Sequence, residues 1–386
     1  MKKRNPNSII GLLCLFLMLA CKEQKKDMPM SAQNSASYTI TYAKGFSIEK
    51  QSSGLAVIKL TSPWPNAETA FTYALVPREK KADITLNNDD YDAIVYVPVE
   101  RIIVTSTTHI PALESLGATE KLVGFPNTSF ISSKETRKRI DAGHVQELGS
   151  NENINAEMVI SLDPDVVVGF GINNKNKAYR TLEQSNIPVV YNGEWTEESP
   201  LGKAEWIKFF APFFQKEQLA DSIFKTVEES YNSIKLLSKK ASTKPTVLTG
   251  GLYKDVWYVA GGKSWLAGFL DDVKTNYLWK DNLESGSLSL SLESVLDKGR
   301  EAEFWLNPSL HVSYDEMLTA NGHYKEFDAF KNKNVFSNSI AKGSTGGLLF
   351  YELAPNRPDL VLKDLIHIFH PELLPEHIPV FFKPLN

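Results

Sequence analysis

Short apolar, β-prone runs alternate with segments of helical periodicity along most of this chain, and this alternation restricts its fold more than any other feature. The runs are 101–105, 122–125, 165–170 and 188–191 in the first half, and 245–249, 256–259, 303–306 and 334–336 in the second. Continuously apolar strands that alternate with helices are typical of a mostly parallel sheet covered on both faces. The sequence therefore predicts the α/β class, with one such unit in each half.

A helical stretch without any strand pattern separates the two α/β segments. Its apolar residues recur every three or four positions, which places them on one face of a helix; they are Leu219, Ile223, Val227, Tyr231, Ile234 and Leu237. A helix over 216–240 would span roughly 37 Å. Its position favours a rigid connection over one more surface helix. We therefore predict two Rossmann-like lobes joined by a single long α-helix.

The domain boundaries follow from changes in these patterns. Residues 38–100 contain short β-prone runs separated by Gly, Pro and Asn/Asp clusters, which predicts an N-terminal β appendage. The first lobe is expected at 101–202 and the bridging helical segment at 203–242. The second lobe and a C-terminal amphipathic helix are expected at 243–386.

The N-terminus has the pattern of an export signal. Residues 1–4 are basic, and an apolar run over Ile9–Ala20 ends at Cys21. This run is too short for the ~30 Å core of a bilayer, so it is typical of a signal peptide. The residues that end at Cys21 resemble the bacterial lipoprotein cleavage box. We predict a lipoprotein signal peptide at 1–20 and a lipidated flexible tether at 21–37, with an ordinary secretory leader as the alternative.

Cysteine count and charge restrict the partners. Cys14 and Cys21 are the only cysteines, so the body has no disulfide framework and depends on a packed core. Removal of residues 1–20 takes away three positive charges and changes the formal net charge from −4 to −7. A mildly acidic body without a Lys/Arg cluster argues against nucleic acid as a partner. The expected attachment is to a membrane, through the lipid.

Motifs of catalysis are missing from the sequence. There is no G-x-S-x-G, H-E-x-x-H or P-loop motif, and no G-x-G-x-x-G after a strand. The Gly-rich segment 343–347 lacks the lysine and the spacing of a phosphate-binding loop. The histidines form no recognisable ligand pair, so we predict no metal site of the protein itself. The sequence favours binding without chemistry, and a lipoprotein hydrolase is the less favoured alternative.

Two glutamates occupy equivalent places in the two lobes. Asn155 and Glu157 begin a short helix before a buried strand in the first lobe, and Ser291 and Glu293 do so in the second. An Asn or Ser cap and a carboxylate in the first turn stabilise a helix N-terminus, which explains either glutamate alone. Their recurrence in both lobes favours a shared function.

The ordered set of these segments resembles the class III solute-binding proteins of ABC importers for iron–siderophore, haem and cobalamin. The segments that carry the resemblance are 101–126, 153–171, the helical linker, 289–306 and 357–374. Together they span roughly 101–375. The last segment and the β appendage resemble the Bacteroidetes-type lipoprotein branch.

The resemblance implies a non-enzymatic protein without a cofactor of its own that captures a small-molecule metal chelate between its lobes. Its implied partners are a dimeric ABC permease and the associated ATPase, and Glu157 and Glu293 would dock on arginines of that permease. The implied location is the periplasm, with the inner membrane as the expected anchor. Surface exposure, as a ligand carrier for an outer-membrane receptor, remains an alternative. The ligand class stays open between siderophore, haem and corrinoid.

Ligands of open α/β sheets bind beyond the carboxyl ends of the strands, so the loops that follow strands predict the cleft residues. The candidates are Thr107, Thr108, His109, Phe170, Gly171, Trp195, Trp257, Tyr258 and Lys263, with 349–351 as a further segment. Aromatic residues beside glycines suit a large, partly planar ligand. His109 could hydrogen-bond a ligand carboxylate, ligate a haem or cobalt centre, or cap its helix.

Overall fold

The computed structural model describes residues 36–37, 39–65, 67–173 and 176–386. The predicted signal peptide, Cys21 and most of the predicted tether lie outside the described residues. Within the described ranges, no helix combines the length and the apolar character needed to cross a bilayer.

The N-terminal appendage is a five-stranded sheet in the order β1-β2-β3-β4-β5. Its strands are β1 (Ala36–Ser37), β2 (Phe46–Lys50), β3 (Ala56–Leu60), β4 (Phe71–Pro77) and β5 (Ala93–Val97). Neighbouring strands are antiparallel except for β4 and β5, which are parallel. Because side chains alternate between the two faces of a strand, Ile58 enters the core of the first lobe while Val57 packs in a separate small cluster. The appendage therefore shares a core with the first lobe.

The first lobe contains a parallel sheet in the order β12-β11-β6-β7-β8. The strands of this lobe are β6 (Ile102–Val104), β7 (Leu122–Phe125), β8 (Gln146–Glu147), the small pair β9 (Gly149–Ser150) and β10 (Asn153–Ile154), β11 (Val166–Phe170) and β12 (Val189–Asn192). Its helices are α1 (His109–Ser115), α2 (Lys134–Asp141), α3 (Ala156–Leu162), α4 (Lys177–Gln184), α5 (Pro200–Glu205) and α6 (Ile207–Phe210). Successive residues 166–169 of β11 are all buried, as expected for a strand covered on both faces.

The long helix α7 (Glu217–Ser238) has 22 residues and contributes to both hydrophobic cores. Phe224 and Val227 pack in the core of the first lobe, and Tyr231 packs in the core of the second. The predicted bridging segment is broken before this helix, because Gln215 adopts a left-handed conformation with φ of 56°. Of the predicted apolar stripe, Val227 and Tyr231 are buried, whereas Leu219 is 40% exposed and the other three residues are half-buried.

The second lobe contains two sheets. A mixed sheet in the order β16-β13-β18-β19-β20 is parallel except for its last strand, and a smaller antiparallel sheet has the order β14-β15-β17. The strands are β13 (Thr246–Thr249), β14 (Gly251–Tyr253), β15 (Val256–Ala260), β16 (Asn276–Tyr277), β17 (Ser287–Leu290), β18 (Phe304–Leu306), β19 (Val335–Ser337) and β20 (Lys383–Pro384). The helices are α8 (Trp265–Asp272), α9 (Leu292–Gly299), α10 (Tyr314–Ala320), α11 (Asp328–Lys331), α12 (Leu349–Leu353) and α13 (Pro358–Phe369). The α/β architecture with parallel sheets agrees with the predicted fold class.

His109 and Trp257, two of the predicted cleft residues, belong to the hydrophobic interior. The His109 ring is 1% exposed and lies 5.2 Å from the ring of Phe210. Trp257 is fully buried, stacks on Trp305 at 5.1 Å, and donates its indole N–H to the Thr249 carbonyl. The expectation that these two residues contact a ligand is therefore corrected, because neither side chain reaches a surface.

Two buried carboxylates fix the segment that enters the N-terminal appendage. Glu205 is fully buried and accepts the backbone N–H groups of residues 41–43 at 2.6–3.0 Å. Glu197 accepts those of residues 44 and 45, both at 2.8 Å. Lys208 lies 2.9 Å from Glu205 and balances its charge. The appendage is thus attached to the first lobe by charge-assisted hydrogen bonds, which are stronger than neutral ones.

Replacement of Glu205 by alanine is expected to lower the free energy of unfolding by about 3–5 kcal/mol, because it removes the buried acceptor of the N–H groups of residues 41–43 and one of the carboxylates beside buried Lys208. Chemical denaturation measures this change. Glu229→Ala is the matched control, because the exposed Glu229–Lys225 pair is worth less than about 0.5 kcal/mol. Equal effects of the two substitutions would contradict the anchoring role.

Burial lowers the pKa of His109 to about 3, which makes stability depend on pH. Below the usual histidine pKa of about 6.5 the unfolded chain binds a proton that folded His109 does not bind. The free energy of unfolding should therefore fall as the pH drops from 6.5 towards 3, by up to about 1.4 kcal/mol per pH unit from this group.

His109→Leu is expected to remove that part of the pH dependence in urea titrations between pH 7 and 4. His144→Leu is the control, because His144 is exposed and its replacement should leave the profile unchanged. If the wild type and His109→Leu lose stability in parallel as the pH falls, His109 is not the source of this pH dependence.

Candidate functional site

A cavity of about 350 Å³ lies between the two lobes, at the carboxyl edge of the first sheet. The first lobe contributes residues 105–107 after β6, residues 125–126 at the end of β7, and Phe170 at the end of β11. The second lobe contributes residues 346–348 and Tyr351. This is the place where open α/β sheets bind ligands.

The cavity wall is aromatic and uncharged. Its aromatic residues are Phe125, Phe130, Phe170 and Tyr351. Phe130 and Tyr351 are 58% and 57% exposed, so parts of their rings are open to an incoming molecule. Among the described residues that line the cavity, none is a lysine, arginine, histidine, aspartate or glutamate. Such a wall suits an uncharged face of a ring system.

A few polar groups interrupt this aromatic wall. Hydroxyls of residues 105–107 lie along its floor. The Asn151 side-chain oxygen is buried at its edge and has no hydrogen-bond partner among the described residues. Because a buried acceptor without a partner costs free energy, a ligand that donates a hydrogen bond to Asn151 would recover it.

The end of β11 is held rigidly by a buried hydrogen-bond network. The Thr105 hydroxyl accepts the Phe170 backbone N–H at 3.1 Å and lies 3.1 Å from the Tyr179 hydroxyl. A side chain at Gly169 would lie 2.4 Å from that hydroxyl, so glycine is required there. Burial raises the pKa of Tyr179 well above its usual value and keeps the phenol neutral. The backbone of Phe170, a cavity residue, is therefore fixed before any ligand binds.

The predicted cleft residues divide into separate places. Thr107 and Phe170 line the cavity, as does Tyr351 from the segment 349–351. Gly171 lies in a neighbouring surface groove of the first lobe. The Thr108 carbonyl accepts the Asn356 side-chain N–H at 2.9 Å and so joins the lobes behind the cavity.

Three further predicted residues lie outside the cavity. Lys263 lines a depression of about 820 Å³ that is bordered by carboxylates and lysines of both lobes. Trp195 is 37% exposed, and its carbonyl accepts the amino group of buried Lys203 at 2.9 Å. Tyr258 is 42% exposed on β15, on the face opposite to buried Trp257.

Sequence reasoning missed Phe130, Asn151 and the turn 346–348. Phe130 lies in the loop after β7, a strand that the apolar pattern predicts, and the turn 346–348 overlaps the Gly-rich segment 343–347. Its glycines were the available signal, because glycine marks a place where the backbone approaches another group closely.

The paired glutamates have the same local geometry in both lobes. Asn155 caps α3 by accepting the Met158 N–H at 3.0 Å, and Glu157 lies exposed in the first turn. Ser291 caps α9 in the same way, and Glu293 lies exposed in its first turn. The Glu293 backbone N–H and the Ser291 hydroxyl lower the pKa of Glu293. Each lobe therefore presents one exposed carboxylate in the first turn of a helix.

Across the described ranges, no group of three or more His, Cys, Asp or Glu side chains is arranged to hold a metal ion.

Comparisons with known proteins agree with this geometry. Residues 102–338, more than half of the chain, match the model of the periplasmic binding protein family. An uncharacterized lipoprotein of Methanocaldococcus jannaschii is 28% identical over 303 residues, which are 76% of this chain and 70% of that protein. The vitamin B12-binding protein of Vibrio parahaemolyticus is 23% identical over 248 residues, 62% of this chain and 81% of that protein.

Among solved structures, a periplasmic heme binding protein from Pseudomonas aeruginosa shares the fold. It superposes with a TM-score of 0.58 at 17% identity, over 75% of this chain and 98% of that chain. The match over 102–338 covers both α/β lobes and the helix between them. The chain therefore belongs to the periplasmic binding protein family.

Proposed function

We propose that this protein captures a small-molecule metal chelate between its two lobes and delivers it to an ABC permease driven by an ATPase. The observation that carries the proposal is the cavity at the carboxyl edge of the first sheet, which residues of both lobes enclose. A site shared by two lobes can hold a ligand and signal its presence through their relative position. The protein would need no cofactor of its own.

The chemistry of the cavity wall favours one ligand class. An anionic siderophore requires converging arginines or lysines, and the described wall offers none. A haem requires an axial ligand; buried His109 is not available for that role, and Tyr351 is the one residue among the described residues that line the cavity that could supply it. A corrinoid requires mainly apolar and aromatic walls with a few hydrogen-bond partners. We therefore propose corrinoids as the first candidate among the three ligand classes, in line with the name of the Vibrio parahaemolyticus relative.

Membrane attachment through Cys21 is part of the proposal, with the protein in the periplasm on the inner membrane. Two observations support this attachment. They are the cleavage-box pattern at residues 18–21 and the name of the Methanocaldococcus jannaschii lipoprotein relative. A short flexible tether would raise the effective concentration of the binding protein at its permease.

Glu157 and Glu293 are proposed as the docking carboxylates, one on each lobe. Their exposure and matching positions at helix N-termini suit contacts with arginines of a two-fold permease. Exposed ion pairs contribute little free energy singly, but they fix orientation and increase the rate of encounter.

Ligand binding can be tested by thermal melting of the processed chain with Cys21→Ser against corrinoids, haem and ferric siderophores. A ligand present at about 100 times its Kd stabilises the protein by about 2.7 kcal/mol, which raises the melting temperature. Tyr351→Ala and Phe130→Ala should each weaken binding about tenfold, since each removes an aromatic contact.

Leu236→Ala is the matched control for these aromatic variants, because Leu236 is 61% exposed on α7, a helix that contributes no residue to the cavity wall. It should leave the affinity unchanged. A melting temperature that no member of the three ligand classes raises would refute the proposal.

The docking role predicts that the double charge reversal Glu157→Lys with Glu293→Lys abolishes uptake in cells but leaves ligand affinity unchanged. Uptake of labelled ligand and titration of the purified protein measure the two properties. Glu120→Lys with Glu301→Lys is the matched control, because both residues are exposed and lie shortly before the amino ends of strands β7 and β18, one in each lobe. Equal loss of uptake in the control would exclude a specific docking role.

A further inference from the structure

The Gly-rich segment between β19 and α12 forms a tight turn that rests on the other lobe. Lys342 and Leu348 pair across its base, and the Gly343 N–H donates to the Gly347 carbonyl at 2.8 Å. Gly346 adopts a left-handed conformation with φ of 93°, which favours glycine. The turn is therefore a defined local structure and not an unstructured loop.

Two of its glycines are required by the first lobe. A side chain at Gly347 would lie 2.1 Å from the Phe130 carbonyl oxygen, and one at Gly343 would lie 2.6 Å from the Ser132 Cα atom. Both obstacles are backbone atoms, which cannot move aside as a flexible side chain can. The two lobes thus meet backbone to backbone at this turn.

Polar contacts reinforce the same junction. The Thr345 hydroxyl donates to the Ser129 carbonyl at 2.7 Å, and the Ser132 hydroxyl donates to the Gly347 carbonyl at 3.0 Å. Glu352 on α12 is buried and accepts the backbone N–H groups of Ser132 and Ser133 at 2.5 and 2.8 Å. Its carboxylate therefore lies at the N-terminal end of α2, where a negative charge is favoured.

A second carboxylate, Glu114, lies close to this junction. The Glu114 carboxylate accepts hydrogen bonds from the hydroxyls of Ser133 and Thr136, on the other side of the α2 N-terminus. Burial and the nearby Glu114 charge raise the pKa of Glu352 to about 7. A carboxylate that is costly to bury contributes less net stability than its two short hydrogen bonds suggest.

The same turn forms part of the cavity wall. Residues 346–348 and Tyr351 cover the cavity from the second lobe, and Phe130, which the turn touches, lies on the opposite side. With this cover in place the cavity measures about 350 Å³, near the lower end of the range for small-molecule sites, roughly 300–1,000 Å³. A tetrapyrrole is a large group for such a space.

We propose that the turn 342–348 and Glu352 form a clasp that holds the two lobes together over the cavity, and that release of this clasp admits the ligand. The last step rests on the proposed function. The clasp itself does not depend on which ligand the protein carries, so the clasp and the proposed function can be disproved separately.

Access to the cavity can be measured without knowing the ligand. The processed chain with Cys21→Ser contains no cysteine, so Thr107→Cys introduces a single thiol in the cavity wall. The rate at which a bulky maleimide dye modifies this thiol reports how often the cavity opens. Gly347→Ala and Glu352→Gln should each raise the rate about tenfold, because each weakens the contact between the lobes.

Gly286→Ala is the matched control, because a side chain there would meet no atom within 4 Å, and it should leave the rate unchanged. Circular dichroism and thermal melting identify a variant that fails to fold, and Glu352→Gln keeps the test valid if Gly347→Ala does so. Folded variants that react at the wild-type rate would overturn the clasp. Faster reaction of the thiol without a faster association of any ligand that binds the wild type would overturn its role as a gate.

The ligand panel separates this proposal from the proposed function. If no metal chelate binds the wild type while the thiol still reacts faster in the two variants, the proposed function fails and the clasp between the lobes stands.

Discussion

Buried carboxylates that accept backbone N–H groups hold the connecting segments of this protein in place. Glu205 and Glu197 bind the N–H groups of residues 41–45, and Asp364 binds those of residues 380–382. Glu352 does the same across the two lobes. A loop cannot satisfy its own N–H groups in a buried position, and an ionised acceptor forms the strongest hydrogen bonds available to them. The chain achieves this without disulfide bonds, since its body has no cysteine.

These carboxylates differ in the charges that surround them. Glu205 has a neutralising lysine 2.9 Å away, so its buried charge is balanced. Glu352 instead lies near the like charge of Glu114, so its buried charge remains costly. The same interaction therefore occurs with a compensating charge within one lobe and with a like charge between the two lobes, which is the difference on which the proposed clasp depends.

Much of the fold could be predicted from the sequence, because apolar periodicity is determined locally. The strand Val166–Phe170 and the helix Ala156–Leu162 with its Asn155 cap lie where the pattern placed them. The candidate site was harder to predict. Thr107 and Phe170 line the cavity, whereas His109 turns into the core beside Phe210. A residue after a strand can point to either side, and the packing partner that decides this is about 100 positions away along the chain.

The turn at 343–347 is a second feature whose cause lies far away along the chain. Its glycines are visible in the sequence. Two of them, however, are required by backbone atoms of the other lobe, more than two hundred residues earlier in the chain. A glycine that a local turn requires and a glycine that a distant backbone requires look identical in one sequence. The structure distinguishes them, because Gly346 has a left-handed backbone and nothing near its missing side chain, whereas Gly347 faces Phe130. The contact of two backbones at Gly347 therefore lies in the cavity wall itself, and a side chain there would push the two lobes apart.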